Sequence, residues 1–270
     1  MLSIIKSGME TAMHELAVIS NNISNANSNG FKKSLTSFSD FAGGLMPDAV
    51  KSSTSGFGAH VDQTRISDGQ GAVVSTENVT DMALIGNGFF ALQSASDNSV
   101  SYTRNGTFSV DENGFLTTSD NYFVLGSPLV DNQFAALAGG LGTLQPIQIP
   151  VTNDGKVMSE LEITQDGKIS ARYGQQDLIP IASLTIGVFS NPIGLKEQGF
   201  ARFSETEESG LLTIGAPMDP GFAELKIGGL EKSNVDLTDE LTAMIKAQQQ
   251  FNGSARLMQA NSDMVEKFTQ

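Results

Sequence analysis

Two seven-residue rhythms, one near each end, constrain this chain more than any other feature. Leu2, Ile5, Met9, Ala12, Leu16, Ile19, Ile23 and Ala26 recur at alternating steps of three and four. Leu237, Leu241, Met244, Gln248, Phe251, Ala255, Met258, Ser262 and Val265 keep the same stepping. Such spacing lays a narrow stripe on an α-helix, the seam through which helices pair as a coiled coil. The opposite faces are polar: Lys6, Glu10, His14 and Asn21 in the first segment, Glu240, Lys246, Gln249 and Asn252 in the second. Burying one Leu, Ile or Met is worth roughly 1.5–3 kcal/mol, whereas ordering one residue costs about 1–2 kcal/mol in backbone entropy alone. Neither helix is expected to stand by itself; each needs the other, and neighbours.

The first helix is expected over residues 3–27, stopped by Asn29-Gly30, with Gly30 in the left-handed position after the helix and Phe31 folding back near Ala26. The Ser- and Asn-rich stretch from Ser20 to Asn27 is a poor helix former, because these side chains compete for backbone hydrogen bonds. The final helix begins after Asp236, a good N-cap, with Asp239 and Glu240 in its first turn. Between the helices, short β-type segments such as 82–85, 89–92, 107–110 and 115–117 are separated by Gly-Asn-Gly, Asn-Gly and Asp-Glu-Asn-Gly, and further tips are expected at 153–155 and 165–167. Residues 181–189 read as a buried central strand. The pattern predicts an α+β chain with N- and C-terminal helices paired as a coiled coil and a central antiparallel all-β domain. Residues 1–33 and 235–270 form the helical assembly domain, 34–60 a connector or long loop, and 61–234 a β-rich outer domain.

Thirty acidic residues against sixteen basic ones give a net charge of -14, which repels nucleic acid and anionic membrane surfaces. The one short basic cluster, Lys32-Lys33, reads as a solvated turn. The absence of cysteine rules out disulfides, a thiol nucleophile and thiolate metal sites. The start lacks the features of a cleaved secretory signal, and no apolar run approaches the ~18 residues of a membrane span. Two isolated histidines, His14 and His60, read as surface residues. Asp111-Glu112-Asn113-Gly114 reads as a turn rather than a calcium loop. Glu205, Glu207 and Glu208 read as solvated carboxylates in a polar loop. No catalytic, metal or cofactor site is expected, nor a small-molecule substrate.

Four ordered motifs resemble the bacterial flagellar rod and hook protein family. They are the run from Val18 to Lys33, which contains Asn21, Asn22, Asn25, Asn29, Gly30 and Phe31; Leu84–Phe90; Tyr102–Phe108; and Gly229–Leu237 with Met244–Gln248, which contains Ser233, Asn234 and Val235. The resemblance implies a non-enzymatic block of the axial flagellar structure, exported by the flagellar type III apparatus. Its partners would be copies of itself and other rod or hook subunits. Its terminal helices would form an inner tube around the export channel, with the β domains outside. The expected assembly interface is Leu2, Ile5, Met9, Leu16, Ile19, Ile23, Leu237, Leu241, Met244, Phe251, Met258 and Val265. The length favours a rod subunit of the basal body, with a short hook subunit as the alternative. A reading of a different class is a secreted or phage-type β-domain binding module, which the scarcity of tyrosine and absence of tryptophan weaken.

Overall fold

The computed structural model describes residues 2–40, 58–130, 133–134, 141–153 and 155–269. The chain divides into two compact units, one drawn from Met1–Ala26, Lys33–Ser67 and Val235–Gln270, the other from Asn27–Lys32 and Asp68–Asn234.

The first unit holds helix α1 (Leu2–Ser24), an antiparallel pair of strands β1 (Ser34–Asp40) and β2 (Ala59–Ile66), and helix α2 (Leu237–Thr269). Helix α1 stops three residues short of the expected end. The Ser20 and Ser24 hydroxyls bond to carbonyls one turn back (Leu16 and Ser20, 2.7 and 2.8 Å), and the Asn25 amide bonds to the Asn21 carbonyl at 3.0 Å. Such back-bonding competes with the helical ladder. Asp236 caps α2 as expected, its carboxylate accepting from the Thr238 and Asp239 amides at 2.7 and 3.3 Å. The two helices lie side by side and antiparallel. Asn22 meets Glu240, and a side-chain carbon on Gly8 would sit 3.6 Å from Ser254 Oγ. Ala12 on α1 and Ala247 on α2 are both buried.

Residues 34–40, expected as connector, form β1 instead. Its register runs from Ser34 opposite Ile66 to Asp40 opposite Ala59, with an irregularity at Ser37/Phe38. The partner strand lies far along the sequence, and polar residues blur the alternation, so neither strand announces itself locally. Residues 61–66 therefore belong to the helical unit rather than to the β-rich domain assigned to them, and residues 59–60, expected as connector, open the same strand. Residues 41–57 of the expected connector lie outside the described residues.

The second unit is built on antiparallel strands throughout. In spatial order Thr152–Asn153, Lys156–Ile163, Lys168–Tyr173, Ile179–Leu184, Tyr122–Val130, Phe89–Ser94, Val100–Thr103, Arg202–Ser204 and Lys196–Gly199 are successive neighbours. Two turn signals act as expected: Asp111–Gly114 joins 109–110 to 116–117, and 165–167 joins 156–163 to 168–173. Others do not. Gly86-Asn87-Gly88 separates strands that never pair with each other, since Met82–Ile85 pairs with Glu224–Ile227 and Phe89–Ser94 with Val100–Thr103. Of the tip at 153–155, Asp154 lies outside the described residues. The stretch 181–189 contributes to two interior strands, Ile179–Leu184 and Ile186–Phe189, broken at the buried Thr185. Leu84, Phe90, Leu92, Leu116, Ile169 and Leu184 centre the core. Beside it Phe89, Tyr102, Phe189 and Phe203 meet edge to face, at 4.8–6.1 Å between centroids.

Candidate assembly surface and its polar supports

In the helical unit the motif residue Asn22 is buried at the inner side of α1, where its amide does what a strand neighbour would do. It donates to the Ser34 carbonyl and accepts from the Ser34 amide, both at 2.9 Å, and donates again to Glu240 Oε2 at 3.1 Å. Every polar atom of that amide except one lone pair is used. The other Glu240 oxygen takes the Lys33 ammonium at 2.6 Å. Glu240, read as part of the polar face opposite the seam, is thus buried and is the residue that joins α2 to α1 and to the residue before β1.

In the β unit the centre is Glu231. Its Oε1 accepts from Lys32 Nζ at 2.7 Å and from the Gly71 amide at 2.9 Å, and its Oε2 accepts from Arg104 Nη1 at 3.2 Å. Lys32 also donates to the Gly69 carbonyl at 2.8 Å, and Arg104 to the Gly86 carbonyl at 2.7 Å. The Lys32 and Glu231 side chains are only 2% and 1% exposed. Burial, then the neighbouring Arg104, pull the Lys32 ammonium below its usual range, against the hold of Glu231. The Lys32-Lys33 pair is therefore no solvated turn: Lys32 closes a buried ion pair, and the half-buried Lys33 closes a different one on a buried carboxylate. Charge counting along the sequence misses this because both carboxylates lie some two hundred residues away.

Gly30 is left-handed as expected (φ 69°), but not as the cap of α1. Its amide donates to the Glu231 carbonyl at 2.8 Å, and an added Cβ would fall 2.3 Å from the Asn105 amide nitrogen. Glycine is required there by close backbone approach as well as by φ. Phe31 beside it is buried. Asn29 Oδ1 accepts from Lys232 Nζ at 2.9 Å, and Asn234 donates to the Gly69 carbonyl at 2.7 Å. Asn21 is exposed, its side-chain oxygen accepting from Asn25. Ser233 and Val235 are half-buried.

The seam residues divide into three groups. Ile19 is buried; Ile5, Met9, Leu16, Ile23, Met244, Phe251 and Met258 are half-buried; Leu2, Leu237, Leu241 and Val265 are exposed. At the position where the heptad places Gln248, the buried residue is its neighbour Ala247, so the stripe drifts around α2. The histidines, read as isolated, line one cavity of about 350 Å³ in the helical unit, with Ser7, Glu10, Thr11, Ala59 and Val61. His14 hydrogen-bonds Thr64 at 3.1 Å, and His60 lies on β2, within reach of Ser39. Among the described residues no group of three or more His, Cys, Asp or Glu is placed to hold a metal ion, and no helix is long and apolar enough to cross a membrane.

Buried polar ties that fix the chain's path, together with an apolar surplus on the outside of paired helices, define a structural subunit. Family models agree along the length: "Flagella basal body rod protein" matches residues 3–32, "Flagellar hook protein FlgE/F/G D1 domain" residues 83–171, and "Flagellar basal body rod FlgEFG protein C-terminal" residues 227–270. Relatives named flagellar basal-body rod protein FlgG include that of Bacillus subtilis, 33% identical over 97% of this chain and 94% of the relative. That of Agrobacterium fabrum is 30% identical over 97% and 95%. The flagellar hook protein FlgE of Caulobacter vibrioides is 32% identical over 51% of this chain and 24% of its own length. The chain belongs to the flagellar basal-body rod and hook protein family, a family of structural axial subunits rather than an enzyme class.

Proposed function

We propose that this chain is a rod subunit of the flagellar basal body that polymerises helically, through its terminal helices, into a tube around the export channel and helps to transmit torque. On this reading it leaves the cytoplasm through the flagellar type III apparatus and meets copies of itself and other axial subunits. The half-buried seam residues of α1 and α2 pair as an antiparallel coiled coil, while Leu2, Leu237, Leu241 and Val265 face neighbours. The observation that carries it is the surface of α2: Leu237, Leu241, Ile245, Leu257, Met264, Val265 and Phe268 are all more than a third exposed although α1 already covers one side. So much exposed apolar surface on one helix marks an interaction site. Rod is favoured over short hook because the rod relatives match end to end, whereas the hook protein matches over a quarter of its length.

The purified chain should form sedimentable, tubular polymer visible by electron microscopy. Replacing Leu241 and Ile245 together by Lys should abolish polymer while leaving the circular dichroism of the monomer intact. Undiminished polymer in that variant would remove the terminal helices from the assembly surface.

A further inference from the structure

Asparagine followed by glycine is prone to self-modification, because glycine leaves the next amide nitrogen unshielded and able to attack the asparagine side-chain carbonyl. The chain contains five such pairs, beginning at Asn29, Asn87, Asn105, Asn113 and Asn252. The fold treats them differently. The Gly30 amide donates to the Glu231 carbonyl at 2.8 Å, and Asn29 Oδ1 is held by Lys232 Nζ at 2.9 Å. The Gly114 amide, after Asn113, donates to the Asp111 carbonyl at 3.0 Å. Asn105 Oδ1 is held by the Thr107 amide and hydroxyl at 3.2 and 2.7 Å. The Gly106 that follows is buried, and an added Cβ there would fall 1.6 Å from the Met82 carbonyl oxygen. Asn252-Gly253 lies inside α2, where the Gly253 amide belongs to the helical ladder.

Asn87 differs from all four. It is exposed, and among the described residues neither its side-chain amide nor the Gly88 amide has a hydrogen-bond partner. The backbone on either side is held. Gly86 donates to Gln70 Oε1 at 3.1 Å and accepts from Arg104 Nη2 at 2.7 Å. Gly88 packs so closely on Ile186 that an added Cβ would lie 2.2 Å from Cγ2. We propose that Asn87 is a site of spontaneous covalent modification, converting to aspartate and isoaspartate ahead of the other four asparagines. The Gly88 amide gives its proton to a base in solvent, and its nitrogen bonds to Cγ of Asn87. The Cγ–Nδ2 bond breaks, and the side-chain nitrogen takes a proton from water and leaves as ammonia. Water then opens the five-membered imide. Opening at Cγ gives aspartate; opening at the backbone carbonyl gives isoaspartate, whose main chain runs through Cβ and Cγ and is one atom longer. Either product adds a negative charge. The extra atom of isoaspartate falls between two held points, at the junction of strands Met82–Ile85 and Phe89–Ser94.

The purified full chain is incubated at mildly alkaline pH in heavy-oxygen water and digested in ordinary water, so that only conversions made before digestion carry the heavy atom. Peptide mass spectrometry follows the five sites, with a parallel sample unfolded in urea. In the folded chain Asn87 should convert at least about tenfold faster than each of the others, the factor that about 1.4 kcal/mol on a barrier produces. In urea the five rates should come within a few-fold of one another, because the hydrogen bonds and the helix that protect four of them are gone. A faster site elsewhere in the folded chain, equal rates at all five, or conversion of Asn87 in urea alone overturns the proposal. Asn87→Gln enlarges the ring that must close. It should remove the early release of ammonia while leaving the circular dichroism unchanged, and undiminished release from that variant overturns the proposal as well.

Discussion

Glu231 answers two cations from inside the β unit, and removing it leaves both of them buried without a carboxylate. Glu231→Gln should therefore destabilise the unit by about 3–5 kcal/mol. Lys32→Met should cost clearly less, because Glu231 would keep Arg104 and the Gly71 amide. Urea unfolding of the two variants checks the order; equal losses would mean that Lys32, not Glu231, is the centre of the network. None of this was legible from the residues alone. The motif around Lys32 was visible, and so was the one around Glu231, but a lysine pair between polar neighbours carries no mark of burial. Its partners are fixed only by the pairing of Gly229–Glu231 with Val73–Ser75 and the approach of Gly30 to Asn105. Asn22 is similar: its place in the motif was readable, its use as a substitute strand neighbour for Ser34 was not.

Among the elements, those with strong local signals were read best. Helix α2 followed from its heptads and from Asp236, and the cap has a measurable signature. Hydrogen bonds from the Thr238 and Asp239 amides, in that order, hold the Asp236 carboxyl below its ordinary value. A carboxyl whose folded pKa is depressed contributes stability that is complete above the unfolded value near 3.9 and fades as pH falls through the folded one. Amide exchange in the first turn of α2 should accordingly quicken below about pH 4. Asp236→Asn should keep the cap and flatten that response, and Asp236→Ala should quicken exchange at every pH. A pH response unchanged in Asp236→Asn would assign the effect elsewhere. The hairpin 156–173 was equally legible, because its turn residues sit between strands that pair with each other. The strand 82–85 was found but mispartnered: Asn-Gly beside a strand marks a bend in the backbone, and only tertiary packing decides that the next neighbour comes from residues 224–227.

For the whole molecule, net charge of -14 on each copy opposes association while the apolar surfaces of α1 and α2 favour it. Raising salt from about 0.05 to 0.5 M shortens the range of the repulsion and leaves apolar contacts standing. Polymer yield should rise over that interval, and a fall would show that ion pairs dominate the interface. The tie between Asn22 and Glu240 spans 218 positions, and the Lys32–Glu231 pair 199. A chain emerging end first, from a ribosome or a narrow conduit, therefore has its opening segment waiting on residues that appear almost last. Until then Asn22 and Lys32 have no acidic partners and α1 has no helix beside it. Completion of the fold is thus timed by delivery of the final forty residues, so a stalled or truncated chain lacks α2 and the apolar surface it carries.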